Sequence, residues 1–531
     1  MSRKKKPERE PSQGARGLSL LPIITVLLGV MAAVQIFLFF LHAYRAITFP
    51  YQLDYGEGPI LQLAVRVARG QPLYPPVDQP PYAVASYVPL YYLLSALGVI
   101  VAGPGFLFGR LLSCLAAVAI AVCVGVVVWS RTRHRFASYL AASLILAMPH
   151  YLVWSALMRV DMLALAFSVL GFCLFARGRR AAGIPLFSLG VFTRRTSVAA
   201  LGAAFLGDAA DRGWRPALRA FAVQALLIVL LIGGAVLVTR GGLYRQLYLH
   251  TAGSVGRSWT WEQLWSLIWY PLRVWPIYFV ITAVGAAYCL LARRHRVLLL
   301  YFAAALVIFL TGGRIGSAHN YLLEPTAVGA MMFGVMWAEL SRRPGLSRPL
   351  VMALGGAIAL QMVWTDGHLS YTISLVQPEA VGSASRYVTE RIREAPGPVL
   401  CEDTGLIVLA GKEPPLMPFE FTQMARAGAL DPAPLSDRVR RGEFPLIVLR
   451  FNPLDPHEVE LHRPGQDWKA GRWPEGIIAG VTQSYRLEQE IRPYFIFVPR
   501  QGKPQTAPSA WGPATRSGGP GRARPEPSGS H

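Results

Sequence analysis

Two short stretches combine charged side chains in a way that could do chemistry. Residues 53–58 have the sequence Leu-Asp-Tyr-Gly-Glu-Gly, which carries the carboxylates Asp54 and Glu57. Residues 159–161 have the sequence Arg-Val-Asp, which puts Arg159 beside Asp161. A carboxylate within hydrogen-bond reach can take the proton of a hydroxyl nucleophile, and a guanidinium can bind two oxygens of a phosphate at once. Ionisable residues beside apolar runs are costly in a membrane and usually line a cavity or a pathway, so these two stretches are candidates for a functional site.

Candidate substrate-binding residues also lie in other short gaps between apolar runs. Most are cationic or adjoin a cationic residue. No His/Cys spacing of the kind that holds a metal occurs, and no phosphate-binding glycine motif precedes a helix, so the residues predict no metal site. The candidates are Arg159, Arg194, Arg195, Arg257, Arg314, His319, Asn320, Tyr321, Glu324 and Tyr87.

Each candidate also has an interpretation without chemistry. The carboxylates of both stretches would then be solvated loop charges, or partners in a simple ion pair at the end of a span. Arg194 and Arg195 would be interfacial arginines whose charged ends reach the headgroups. The polar segment 319–324 would only cap the following span, and the tyrosines near residue 87 would form an aromatic belt.

The composition excludes an ordinary soluble enzyme. Of 531 residues, 53% are hydrophobic and only 15% are charged, and the formal net charge is +22. Apolar runs long enough to cross a bilayer core of about 30 Å recur along the first two-thirds of the chain. We therefore predict a mainly α, polytopic membrane protein. Its basic charge does not indicate a nucleic-acid partner, because cytoplasmic loops collect Lys and Arg for reasons of topology.

The charge distribution predicts about 11 membrane spans, with the N-terminus in the cytoplasm. This orientation puts the short arginine-rich loops inside, provided that the tyrosine-rich segment 87–102 lies in the plane of the interface. Arg194 and Arg195 then lie at the tip of a hairpin of two short spans. The predicted spans are 18–41, 105–130, 136–154, 162–176, 182–192, 196–206, 218–238, 275–292, 297–310, 321–340 and 350–363.

The spans divide the chain into four parts. A basic cytoplasmic N-terminus, 1–17, precedes a transmembrane domain, 18–365, with a long external loop, 42–104. Residues 366–500 have the composition of a soluble α/β domain, which we place on the outer side, with a helix near 384–393 and β-like runs at 399–401, 406–409, 446–449 and 494–498. Residues 501–531 are rich in Pro, Gly, Ser and Arg, which predicts a disordered tail.

The order of these motifs resembles the GT-C membrane glycosyltransferases, in the branch that contains protein O-mannosyltransferases and the lipid A aminoarabinose transferase. The resemblance covers roughly residues 18–340. It consists of external acidic residues after the first span, a glycine followed by Leu-Tyr, an in-plane helix, an arginine that starts the next span, and an external Arg-x-Asp. The corresponding positions are Asp54 and Glu57, then Gly70 with Leu73-Tyr74, the Tyr-x-Pro-Leu-Tyr-Tyr of 87–92, the Arg-Leu-Leu-Ser of 110–113, and Arg159 with Asp161.

The resemblance implies an enzyme that passes a sugar from a polyprenyl phosphate to an acceptor on the outer face of a bacterial cytoplasmic membrane. Asp54 or Glu57 would act as the base or orient the acceptor, and we favour Asp54. Relatives often have adjacent Asp-Glu, whereas here Tyr55 and Gly56 separate the two. Asp161 would stabilise or orient the sugar, and the arginines would hold the phosphate. The resemblance leaves open a divalent cation between Asp54 and Asp161.

Two other classes of function compete with a transferase. A transporter or flippase of lipid-linked saccharides would need polar residues deep in several spans, whereas the ionisable residues here gather at one face. A non-catalytic scaffold for the outer domain would make the substitution Asp54→Asn silent. Because charge collects at one face, the sequence favours an enzyme, without identifying the sugar or the acceptor.

Overall fold

The architecture is that of a computed structural model of the chain. It describes residues 20–250, 259–314, 316–343, 347–376, 379–461 and 470–500. The predicted N-terminal segment 1–17 and the predicted tail 501–531 lie outside these residues.

The described residues before 379 are almost entirely helical, as predicted from their composition. Long apolar runs favour helices in a membrane because a helix satisfies its backbone hydrogen bonds within one segment. The α-helices of four residues or more are Leu20–Thr48, Glu57–Ala68, Leu90–Ala102, Leu107–Thr132, Arg135–Leu146, Pro149–Ser155, Val160–Ala176, Arg180–Thr193, Ala199–Arg212, Trp214–Val238, Trp261–Val274, Pro276–Leu291, Arg296–Leu310, Leu323–Ser341 and Ser347–Val376.

The number of crossings stays a prediction. Among the described residues, four helices have the length and hydropathy of a complete span, and two bent helix pairs would raise that number to six. One of these pairs replaces the predicted span 136–154: Arg135–Leu146 and Pro149–Ser155 meet at 66°. Proline lacks the N–H that would continue the first helix, so the break falls just before Pro149.

A close contact joins two consecutive helices into a hairpin. The antiparallel helices Val160–Ala176 and Arg180–Thr193 approach along glycines. A Cβ atom on Gly183 would lie 2.9 Å from the carbonyl oxygen of Gly171, so only glycine fits there without a shift. This packing places the start of the first helix beside the end of the second, and the residues of interest lie at those two ends.

The C-terminal segment, called the C-terminal unit below, contains a small sheet and several helices, and its status as a separate domain stays a prediction. Its four-stranded sheet has the order β1-β2-β4-β3, with β1 (Leu400–Cys401) parallel to β2 (Ile447–Leu449) and β4 (Tyr494–Pro499) antiparallel to both β2 and β3 (Tyr485–Ile491). Its α-helices are Glu379–Glu394, Thr404–Leu409, Pro418–Arg426, Ala433–Arg440, Pro456–Leu461 and Glu475–Ser484.

Three details of this unit differ from the prediction. The run 406–409 is part of the helix Thr404–Leu409, because four apolar residues alone do not distinguish a strand from a buried helix. The strand Tyr485–Ile491 was not predicted, since it is polar and partly exposed. The helix that starts at Ser347 continues to Val376 and so passes the predicted domain boundary at 365.

The C-terminal unit packs directly on the loop 42–104, which was predicted to be external and is called the external loop below. Gln52 donates to Asp403 over 3.3 Å and accepts from the backbone N–H of Gly405 over 2.9 Å. Arg66 forms an ion pair with Glu413. Val408 and Met417 belong to the same buried apolar cluster as the helix Glu57–Ala68. The loop and the C-terminal unit therefore share one interface, and the candidate site lies beside it.

Candidate active site

A cavity of about 280 Å³ lies between the external loop, the hairpin turn at residue 194, the segment before helix Leu323–Ser341, and the C-terminal unit. Its lining combines four arginines with aromatic side chains and one carboxylate. The described residues that line it are Tyr55, Gly56, Pro59, Ile60, Val84, Ser86, Tyr87, Tyr92, Arg159, Arg194, Arg195, Thr196, Arg314, Gly316, Ser317, Asn320, Tyr321, Phe419, Glu420, Gln423 and Met424.

Asp161 organises one wall of this cavity from behind. It lies in the first turn of helix Val160–Ala176, where the helix dipole favours a negative charge. Its carboxylate is fully buried, pairs with Arg194 over 3.0 Å and accepts from the Asn320 amide over 2.7 Å. Arg194 also packs over the ring of Tyr321, 4.8 Å from its centre. Asp161 therefore fixes two residues that line the cavity.

Arg159 connects the two predicted acidic stretches. Its Nη1 lies 2.9 Å from Asp54 Oδ1, and its Nε lies 3.8 Å from Asp161 Oδ2. Its guanidinium packs over Trp154, 5.0 Å from the ring centre. A Cβ atom on Gly56 would overlap this guanidinium, so glycine at 56 is what lets Arg159 reach Asp54. Asp54, Arg159 and Asp161 are thus adjacent, with the arginine in the middle.

Glu57 has a different environment from Asp54. Its side chain is fully buried and its carboxylate receives two hydrogen bonds from Arg110, of 2.8 and 2.7 Å. It also accepts from the backbone N–H groups of Leu53 and Met158. A carboxylate surrounded by donors in this way holds the loop in place, and Glu57 is not among the described residues that line the cavity. This environment favours a structural role for Glu57, and its predicted catalytic role stays a prediction.

The other predicted residues divide into two groups. Arg195 and Arg314 line the cavity, and Arg195 donates to the carbonyl of Leu247 over 2.6 Å. His319 and Glu324 are not among the described residues that line it, and Glu324 accepts from the Tyr301 hydroxyl over 2.9 Å. Arg257 lies outside the described residues.

The residues that sequence reasoning missed come mainly from the C-terminal unit. Glu420 accepts a 2.8 Å hydrogen bond from the Tyr55 hydroxyl, which in turn accepts from the backbone N–H of Phe419 over 2.9 Å. Burial is the largest cause that raises the pKa of Glu420 above its ordinary value. Glu420 lies more than 350 residues after Asp54 on a short helix, and no motif in the sequence links the two.

The arrangement does not fit the divalent cation that the resemblance left open between Asp54 and Asp161. Arg159 contacts both carboxylates and so takes the place that a cation would have. The described residues contain no group of three or more His, Cys, Asp or Glu side chains able to hold a metal. We therefore derive no step through a metal.

Comparison with known proteins identifies the fold. No family model and no curated protein sequence matches the chain. Its structure is similar to the crystal structure of ArnT from Cupriavidus metallidurans bound to undecaprenyl phosphate, with a TM-score of 0.56, 13% identity, and coverage of 91% of this chain and 98% of that one. The apo structure of the same protein gives a TM-score of 0.54 at 13% identity, covering 90% and 98%.

A third similar structure comes from an archaeon. It is the oligosaccharyltransferase AglB from Archaeoglobus fulgidus in complex with an inhibitory peptide and a dolichol-phosphate. The TM-score is 0.51 at 13% identity, over 88% of this chain and 73% of that one. ArnT, the lipid A aminoarabinose transferase, and AglB are both GT-C proteins. The chain therefore has the GT-C fold that was expected from its motifs.

Proposed function

We propose that this protein is an integral membrane glycosyltransferase that moves a sugar from a polyprenyl-phosphate donor to an acceptor on the extracytoplasmic face. The observation that carries the proposal is the cavity in which four arginines meet a carboxylate within a GT-C fold. Solved proteins of this fold bind undecaprenyl phosphate or dolichol-phosphate. The protein would lie in a bacterial cytoplasmic membrane, with its N-terminus inside and its C-terminal unit outside.

The arginines would bind the phosphate of the donor. Guanidinium groups form charge-assisted, two-pronged hydrogen bonds to phosphate oxygens, and these are stronger in a partly buried site than in water. Arg159 and Arg194 are held by Asp54 and Asp161, so both are in place before the donor arrives. Arg195 and Arg314 add further positive charge to the lining. The leaving phosphate is therefore stabilised as its negative charge develops.

The transfer would be a single displacement with inversion at the anomeric carbon. The acceptor oxygen forms a bond to that carbon while the bond from the carbon to the phosphate oxygen breaks. The electron pair leaves with the polyprenyl phosphate, and the proton of the acceptor goes to a carboxylate. Asp54 is our candidate for that carboxylate, because its side chain is 36% exposed and pairs with Arg159 of the lining, although Asp54 is not itself among the described residues that line the cavity. Such a base contributes roughly 10² to 10⁴-fold to the rate.

Binding of the bare carrier tests the phosphate site. The purified protein in detergent should bind undecaprenyl phosphate, and Arg194→Gln and Arg314→Gln should each weaken binding about 10- to 100-fold, which corresponds to one charged hydrogen bond. Arg179→Gln is the matched control, since Arg179 is exposed at the far end of helix Val160–Ala176. Equal affinity in all four proteins would contradict the proposal and favour a transporter or scaffold whose lipid site lies elsewhere.

A further inference from the structure

We infer that Glu420 binds a hydroxyl group of the substrate, so that the C-terminal unit supplies a specificity-determining residue to the cavity. This inference rests on the proposed function. Glu420 lies in the first turn of helix Pro418–Arg426, and its side chain is partly exposed where the helix borders the cavity. The helix has proline at its first position, which suits a helix start, and an acidic first turn suits the dipole.

Among the described residues that line the cavity, Glu420 is the one carboxylate. The neighbouring carboxylates already have strong cationic partners: Asp54 pairs with Arg159, and Asp161 pairs with Arg194. Within the described residues Glu420 forms no direct ion pair, although the charges of Arg159 and Arg472 act on it from a greater distance, and one of its oxygens accepts from Tyr55. An ionised carboxylate can accept several hydrogen bonds, so capacity remains for a substrate group.

The surroundings hold Glu420 in a fixed position. The Tyr55 hydroxyl donates to Glu420 and accepts from the Phe419 backbone, which sets the direction of its proton. The Tyr55 ring packs under the guanidinium of Arg472, at 4.7 Å, and Arg472 pairs with the buried Glu402 over 2.7 Å. A group fixed in this way binds its ligand with little loss of conformational entropy.

This chemistry selects the substrate class. A carboxylate accepts hydrogen bonds from a hydroxyl group and repels an anion, so it favours a hydroxyl-bearing sugar or acceptor over a uronic acid. The phosphate is directed to the arginines for the complementary reason. Charge therefore sets the orientation of the substrate within one cavity.

The test compares Glu420→Gln with wild type and with Glu475→Gln, an exposed glutamate of the same unit. Affinities are measured for undecaprenyl phosphate alone, for undecaprenyl phosphate linked to neutral hexoses and pentoses, and for the matching uronic acids. We expect Glu420→Gln to leave binding of the bare carrier unchanged and to weaken the neutral donor about tenfold or more. The preference of wild type for the neutral over the uronic donor should shrink in this variant.

Kinetics with the acceptor and affinity measurements at several pH values distinguish the remaining outcomes. An unchanged donor affinity with a tenfold higher KM for the acceptor would assign the contacted hydroxyl to the acceptor, and the inference stands. The affinity of the wild-type protein for the neutral donor should fall as pH decreases through the titration of Glu420, because protonation removes the negative charge of the carboxylate that accepts the hydrogen bond. The affinity of Glu420→Gln should not change in this way. A merely structural residue would not produce this difference.

Two results would overturn the inference. In the first, the affinities of Glu420→Gln and Glu475→Gln both stay within about twofold of wild type for every ligand at every pH, which means that Glu420 contacts no substrate group. The proposed function would still stand in that case if carrier affinity depends on the arginines. If wild type binds neither the carrier nor any donor, the proposed function fails and the inference fails with it.

Discussion

Asp54 and Glu57 share one short motif but have opposite surroundings. The Asp54 side chain is 36% exposed and pairs with Arg159. The Glu57 side chain is fully buried and accepts hydrogen bonds from Arg110 and from the backbone N–H groups of Leu53 and Met158. We predict that Asp54→Asn lowers kcat about 10²-fold or more, as expected for loss of a general base, and changes unfolding by no more than about 1 kcal/mol.

Glu57→Gln should instead destabilise the protein by about 3–5 kcal/mol, because it leaves the Arg110 charge buried without a carboxylate. Thermal unfolding in detergent and single-turnover kinetics on both variants check the two predictions. The reverse pattern, with a stable but inactive Glu57→Gln, would show that the structural assignment of Glu57 is mistaken.

The ionised Glu420 side chain should lower the free energy of unfolding at neutral pH. Burial raises the pKa of Glu420, so the folded state binds this proton more tightly than the unfolded state does. Stability therefore falls as pH rises from the ordinary glutamate pKa of about 4.3 through the raised pKa of the folded state. We predict that Glu420→Gln has a higher Tm than wild type at pH 7.5, and that the gap closes near pH 4. A lower Tm at pH 7.5 would contradict this prediction.

At the scale of elements, the glycine contact between helices Val160–Ala176 and Arg180–Thr193 sets the distance from Asp161 to Arg194. Gly183→Ala would put a Cβ 2.9 Å from a backbone oxygen, so the helices must separate. We predict a loss of about 1–3 kcal/mol in stability and a weaker affinity for undecaprenyl phosphate. Gly202→Ala is the control, because its Cβ would meet open space. Equal affinity in the two variants would show that the contact does not position Arg194.

The helices and the grouping of Asp54, Arg159 and Asp161 follow from local properties. Apolar runs and the arginine-rich loops between them predict where helices lie, and the two acidic stretches lie at the ends of apolar runs. Other features depend on contacts far apart in sequence. The ion pair between Glu57 and Arg110 forms only when helices Glu57–Ala68 and Leu107–Thr132 pack together. The contact of Glu420 with Tyr55 forms only when the C-terminal unit packs on the segment around residue 55.

At the scale of the whole molecule, the orientation in the membrane is open to a direct check. All five native cysteines are buried, so an exposed cysteine introduced into the chain dominates the labelling. We predict that a membrane-impermeant thiol reagent labels Glu475→Cys from outside intact cells and labels Arg179→Cys only after lysis. Both positions are exposed, so access to the reagent differs only by the side of the membrane. Labelling of Arg179→Cys in intact cells would contradict the predicted topology and indicate the opposite orientation.

The most direct test of the transferase account is the release of polyprenyl phosphate from a panel of polyprenyl-phosphate sugars by the purified protein. We predict turnover with at least one neutral donor, a product of inverted anomeric configuration, and loss of turnover in both Asp54→Asn and Arg194→Gln. Stable wild-type protein that binds the carrier but releases no polyprenyl phosphate from any donor would contradict the account and favour transport.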